Sequence, residues 1–294
     1  MTVRAATAAR AVAGLKGRIH TMAGQRLSAA PEPPVLAALR SGGRVWAVGA
    51  IHGEADRLRS LHCRLAAELR PGDQLVYLGG YLGHGAQVRE TVDELLVFRR
   101  FFIAQPGVET EDVVFLRGAQ EEMWQKLLQL QFASRPAEVL RWLIEHGVGA
   151  TIAAYGGDPE QGLHAAEDGA LSLTRWTSGL RQAVRQYDGH NALLSSLKHA
   201  ALTDDGALLF VHAGLDPGMP LDTQRDYFWW GCPAFESLEG ACHGFRAIVR
   251  GRAPNGPGLQ FGPLVTLDAG CGQNGFLTAA CFDADGRILH FIED

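Results

Sequence analysis

The sequence predicts an α/β fold, and three observations carry that expectation. Short apolar runs rich in β-branched and aromatic residues alternate with longer stretches whose apolar residues recur at helical spacing. Glycines such as Gly49, Gly79, Gly118, Gly214 and Gly270 follow the runs, where a strand must turn sharply into a loop. A chain of 294 residues with 47% hydrophobic content can also bury a large core.

The elements follow in chain order. Residues 1–31 hold Arg4, Arg10, Lys16, Arg18 and Arg26 and no acid, leaving 22 basic against 32 acidic groups in the remainder. The alanine-rich stretch 5–22 lacks the continuous apolar core of a secretion signal, and Ser28 to Pro34 is a breaker, so residues 1–34 read as an extension and linker. Such a tail is either a frayed, partly helical extension or a basic helix for an acidic partner or anionic surface. Strands are predicted near 45–50, 74–78, 113–116, 208–212, 247–250 and 264–268, with helices near 54–69, 87–104 and 121–132. The middle, 136–201, is helical with little strand signal. Runs at 276–282 and 287–292, joined by Asp283-Ala284-Asp285-Gly286, predict a closing hairpin whose Asp-Gly supplies the turn.

Several function classes are excluded at this level. No apolar run approaches the roughly 20 residues needed to cross a bilayer, so no transmembrane segment is expected. Five cysteines, odd in number and without a Cys-x-x-Cys pair, indicate reduced thiols and a cytoplasmic location. No basic stripe with interleaved aromatics marks a nucleic-acid surface. The glycine-rich run 270–275 lacks the Lys-Ser/Thr of a phosphate loop and reads as turns.

Seven short segments in register resemble a known set. Val45 to Gly53 is similar to an Asp-x-His opening with Ala50 in the acid's place and His52 kept. Gly79-Gly80-Tyr81-Leu82-Gly83-His84-Gly85 resembles Gly-Asp-Tyr-hydrophobic-Asp-Arg-Gly, and Arg117-Gly118-Ala119-Gln120-Glu121-Glu122-Met123 resembles Gly-Asn-His-Glu-Glu-Met. Trp142-Leu143 to Tyr155-Gly156 matches a helical connection, and Phe210 to Leu215 keeps His-Ala-Gly intact at His212. Phe228-Trp229-Trp230-Gly231 is similar to a Trp-containing element that ends in arginine, and Val249-Arg250-Gly251-Arg252-Ala253-Pro254 to Gly-His-Thr-Pro. The closing pattern around Leu267 to Cys271 and Gly275 to Ala279 also agrees. Together these resemble the calcineurin-like metallophosphoesterases, of the bacterial serine/threonine phosphatase and diadenosine tetraphosphatase type, over residues 43–292.

The resemblance implies one domain over 35–294, built as two facing sheets flanked by helices, with the helical insertion covering one side of the active face. It implies six metal-ligand positions, here Ala50, His52, Gly80, Ala119, His212 and Arg252, for two divalent ions of the Mn, Fe or Zn kind. Alanine and glycine offer no side-chain donor, and Arg252 brings a fixed positive charge into a cation's space. The acid/base histidine is replaced by Gln120, its orienting acid by Gly83, and the phosphate-clamping arginines by His84 and Gly231. The expected function is therefore a pseudophosphatase without metal cofactors that acts by binding. A protein partner would use the basic tail or the former active face. A phosphate-like ligand would use His52, His84, His212, Arg250 and Arg252. The rival expectation is an active phosphoesterase with a rebuilt metal site, for which His84, Asp216 and His243 are the candidate third ligands beside His52 and His212.

Overall fold

The computed structural model describes residues 34–294; the basic segment 1–33, with its partner and linker assignments, lies outside the described residues. The fold is a mixed α/β sandwich of two sheets. The first runs in the order β1 (Leu36–Leu39), β5 (Ala200–Thr203), β6 (Leu208–Val211), β7 (Ala247–Arg250), β9 (Leu264–Asp268), β8 (Gly258–Gln260). The second runs β11 (Ile288–Glu293), β10 (Thr278–Phe282), β2 (Val45–Val48), β3 (Gln74–Tyr77), β4 (Val113–Phe115).

Two-residue alternation explains why the sheets face each other. Val45, Ala47 and Val76 point inward with Leu208, Phe210, Val249, Val265 and Phe282 to form the layer between the sheets. Trp46, Val48, Leu75 and Tyr77 point outward, against α1 (Ala55–Glu68), α2 (Val88–Ile103) and α3 (Ala119–Leu128). Because both faces are covered, all four residues of β2, β3 and β6 are buried, which is why they read as continuous apolar runs. Each fully buried large side chain, such as Phe210 or Phe282, contributes roughly 1.5–3 kcal/mol. The outer face of the first sheet is closed by Phe228, Trp229 and Phe235 over Leu209, Val211 and Ile248.

The predicted strands and the closing hairpin are present, β10 pairing antiparallel with β11. Three strands were not anticipated. β1 (Leu-Ala-Ala-Leu) and β5 (Ala-Ala-Leu-Thr) are alanine-rich and carry little strand propensity; they form by pairing in parallel with each other, from Leu36 with Ala200 to Leu39 with Thr203. β8 has three exposed residues on a sheet edge, too few to show a period. β5 also cuts short the helical middle, whose last helix is His190–Ser195. The third helix begins at Ala119 rather than Glu121, which draws two motif residues into its first turn. Among the described residues no helix is long and apolar enough to cross a membrane.

Candidate functional site

Five loops leave the carboxyl ends of parallel strands. β2, β3 and β4 are mutually parallel in one sheet, and β6 and β7 in the other. Backbone bonds stitch the loops across the rim. Ile51 and His52 N–H donate to the Gly80 carbonyl at 2.9 and 2.7 Å, and Ala50 N–H reaches the Gly251 carbonyl at 3.3 Å. Gly251 and Arg252 N–H both donate to the His212 carbonyl, at 3.1 and 2.9 Å. The His212 ring closes the stitch, since its Nδ1 lies 2.8 Å from the Leu78 carbonyl oxygen on the opposite sheet. Nδ1 must therefore carry the proton, leaving Nε2 as a bare acceptor.

The organising group is one the sequence pattern undervalued. Glu121 reads there as an acid in a first helical turn, favourable to the helix dipole. In the structure its carboxylate is 1% exposed and accepts four backbone N–H groups: Gly80 and Gly118 at 2.9 Å, Tyr81 at 2.8 Å and Leu82 at 3.0 Å. Burial pushes its pKa up, and the same four donors oppose that shift. The loop after β3 is thereby clamped to the start of α3. Its position three residues after Gly118, at the strand-to-helix junction, is the signal by which it could have been found.

At the centre, the positions implied as ligands do come together. A Cβ placed on Gly80 would lie 3.0 Å from the Ala50 Cβ and 3.3 Å from Cε1 of both His52 and His212, so an acid side chain there would enter the space between the histidines. A Cβ on Gly118 would lie 2.7 Å from the His212 Cε1. His84 joins from the side, its ring edge-on to His52 at 5.1 Å between centroids. Both His52 and His84 have left-handed backbones, at φ 55° and 54°. His52 Nδ1 and His212 Nε2 are buried and have no hydrogen-bond partner among the described residues.

Arg252 supplies the charge. No hydrogen bond or ion pair ties its guanidinium to another described residue, yet its field acts on all three histidines. Burial and then Arg252 push His212 down to about 3. Burial, Arg252 and the neighbouring imidazoles hold His52 well below the ordinary value, and burial and Arg252 lower His84. Burial lowers the pKa of Arg252 itself, against the opposing charge of Asp268. The Asp268 carboxylate is engaged with the backbone, accepting Ala253 N–H at 2.9 Å and Gly270 N–H at 3.1 Å.

Arg250 requires correction as a ligand-binding candidate. It is the last residue of β7 and projects to the outer face, where it pairs with both oxygens of Glu236, donates to Thr266 Oγ1 at 3.0 Å and lies over the Phe235 ring at 5.3 Å. Its charge is spent there. Of the proposed third metal ligands, Asp216 accepts Gly218 N–H in its own turn, and His243 is exposed in a left-handed turn. Gly231 lies against the loop that carries Arg252, since a Cβ on it would meet Pro254 Cγ at 2.8 Å.

The motif resemblance implies a two-ion centre, and the donor set present does not fit one. Ala50, Gly80 and Ala119 present no oxygen, Arg252 repels a cation, and His84 Nε2 is taken by the Gln120 amide at 3.0 Å. Among the described residues no three His, Cys, Asp or Glu side chains cluster in a way that could hold an ion.

Gln120 and Gly83 interlock. A Cβ on Gly83 would sit 2.2 Å from Gln120 Oε1, so the glutamine fills the space a side chain at 83 would need. The Gln120 amide also donates to the His146 carbonyl at 2.8 Å, Gly83 N–H donates to Thr151 Oγ1 at 3.0 Å, and His84 N–H to the Gly147 carbonyl at 3.2 Å. The helical insertion thus covers this side, as the resemblance implies. Gly83→Ala is expected to destabilise by roughly 1–3 kcal/mol, part from overlap with Gln120 and part from its φ of 77°. In a Gln120→Ala background only the backbone part remains. A double-mutant cycle by urea unfolding should show coupling of at least about 0.5 kcal/mol, and strictly additive losses would refute the interlock.

Comparison with solved structures agrees with this architecture. The chain is similar to a structure assigned provisionally as a diadenosine tetraphosphatase, at TM-score 0.54 and 20% identity, covering 88% of this chain and 98% of that one. A serine/threonine phosphatase from Saccharomyces cerevisiae aligns at TM-score 0.46 and 14% identity, over 90% of this chain and 83% of that one. A metallophosphoesterase from Sphaerobacter thermophilus aligns at 0.40 and 16%, over 86% and 88%. No family model and no curated protein matches the chain. The first of these, at TM-score 0.54, carries the fold: the chain shares the two-sheet metallophosphoesterase-type fold of that structure.

Proposed function

We propose that this phosphoesterase-fold protein is a pseudophosphatase that binds a phosphate-like group, free or on a phosphorylated partner, without hydrolysing it. The observation that carries the reading is Arg252. A half-buried guanidinium with no bonded acid among the described residues lies close enough to His52, His84 and His212 for its charge to act on all three. Its fork suits an oxyanion and replaces a cation's charge without activating water. The bare His212 Nε2 suits the hydroxyl of a singly protonated phosphate. A cytoplasmic setting belongs to the same reading, supported by five cysteines with no disulfide. The basic segment 1–31 is the second contact we assign to an acidic protein partner.

Two measurements test it. Protein purified with Mn²⁺ should retain no stoichiometric ion and hydrolyse p-nitrophenyl phosphate no faster than a heat-killed control. Turnover that disappears in His52→Ala would establish the rival, an active enzyme with a rebuilt site. Phosphate at roughly ten times Kd should raise the Tm by roughly 3–5 °C, and Arg252→Ala should abolish that rise while leaving the unliganded protein folded. An undiminished rise in Arg252→Ala would remove Arg252 from the reading.

A further inference from the structure

A second concavity opens along α3, lined by residues that flank the Glu121 clamp. Its volume is about 250 Å³, at the small end for ligand sites. One wall is α3, with Glu122 and Lys126. The other is the segment leading into the short helix Tyr227–Trp230, with Arg225 and Trp229. Arg117 and His199 complete the lining from the strand ends.

The electrostatics select an anion of low charge. Among the described lining residues, Arg117, Lys126 and Arg225 stand with Glu122 and Asp226, a surplus of one positive charge. Glu122 is already doubly compensated, by Arg117 and Lys126 at 3.3 Å each. His199 adds a donor rather than a charge. Its Nδ1 accepts Val35 N–H at 2.8 Å, which leaves the proton on Nε2, and burial together with Arg117 and Lys198 holds its pKa down to about 4. Arg225 stands on the rim in a left-handed backbone at φ 44°, rare for a residue with a side chain, and its guanidinium has no partner among the described residues.

The floor is aromatic and polar at once. Trp229 is 4% exposed, 5.2 Å between ring centroids from His199 and with the Arg117 guanidinium 5.8 Å above its ring. Its indole N–H and the Arg117 Nε–H have no hydrogen-bond acceptor among the described residues. Buried donors of this kind are seldom left without an acceptor, so two beside one cleft point to an acceptor supplied from outside.

We infer that this cleft binds a planar monocarboxylate, with its carboxylate on Arg225, Arg117 and His199 and its body against Trp229. A monoanion matches the single surplus charge, where a dianionic phosphate would exceed it, and the planar carboxylate matches the arginine fork. The inference does not depend on the Arg252 site. The carboxylate could come from a free small molecule or from the C-terminus of a peptide, and two probes separate these sources: benzoate and N-acetyl-phenylalanine.

The test follows the Trp229 indole N–H by NMR in the full chain, assigned with Trp229→Phe, while each probe is titrated at constant ionic strength against chloride. At least one probe should produce a saturable shift, and the tighter binder identifies the source. Arg225→Gln and, separately, Lys126→Gln, both at exposed or half-exposed positions, should weaken binding about ten-fold each while the thermal unfolding midpoint is unchanged. Arg252→Ala should leave the affinity unaltered, which keeps this site's fate apart from that of the phosphate site. No saturable shift with either probe, or a shift indifferent to both Arg225→Gln and Lys126→Gln, would overturn the proposal.

Discussion

Replacing Glu121 with alanine is expected to cost on the order of 4 kcal/mol, the largest single loss among the site residues. Four backbone N–H groups, from Gly80, Tyr81, Leu82 and Gly118, lose their common acceptor in a region that water does not reach. A buried donor left unsatisfied costs about 1–3 kcal/mol, and partial relaxation of the loop recovers some of the sum. Glu121→Gln keeps the volume but turns an NH2 donor toward two of the four N–H groups, so it should lose a comparable amount. Urea unfolding checks both, and the alanine variant should melt roughly 10 °C lower. A loss below about 1 kcal/mol would mean that the loops are held by other contacts.

Acid should destabilise the protein from about pH 6.5 downward, in a window set by the site histidines. His212, with a folded pKa of about 3, and His52, held well below the ordinary value, stay neutral in the folded chain while the unfolded chain protonates them. A depressed histidine contributes stability that is complete above its unfolded pKa and is lost as the pH falls toward the folded one. Each contributes a slope of up to about 1.4 kcal/mol per pH unit in that window, so His212 alone loses roughly 2 kcal/mol between pH 7 and pH 5. Arg252→Met removes a positive neighbour that, after burial, lowers both values, and should raise the pH at which the loss levels off. Denaturant midpoints at several pH values decide the matter. A flat profile between pH 7 and pH 5 would show that neither ring is held neutral.

The sequence made the scaffold legible where a pattern spans several residues. β2, β3 and β6 announce themselves as apolar runs because both sheet faces are covered, and Asp285-Gly286 marks the hairpin between β10 and β11. β1 and β5 stayed hidden because neither has a strand preference of its own, only a partner about 164 residues away. At the site, motif register brought out Ala50, Gly80, Ala119, His52, His212 and Arg252, which the fold gathers at one rim. What a motif cannot carry is side-chain direction. Arg250 and Arg252 look alike in one dimension, yet strand alternation sends the first to Glu236 and the turn after β7 sends the second to the histidines. Glu121 likewise looked like a helix-start acid, because four backbone donors leave no trace in side-chain identity.

If the proposed loss of catalysis holds, the interlock of Gln120 with Gly83 has a consequence for anyone who would install chemistry on this scaffold. Repair cannot proceed one residue at a time. An aspartate installed at 83 runs into the glutamine before it can orient anything, while a histidine installed at 120 finds no acid to hold it. An aspartate at 80 meets two imidazoles at contact distance and no cation to reward it. On the pseudophosphatase reading, the single steps at 80 and 83 therefore carry a steric cost with no turnover in return, so the way back is a ravine rather than a slope. On the proposed pseudophosphatase reading, a library of single substitutions at 50, 80, 83, 119, 120 and 252 should recover no turnover, and only a combined exchange could do so.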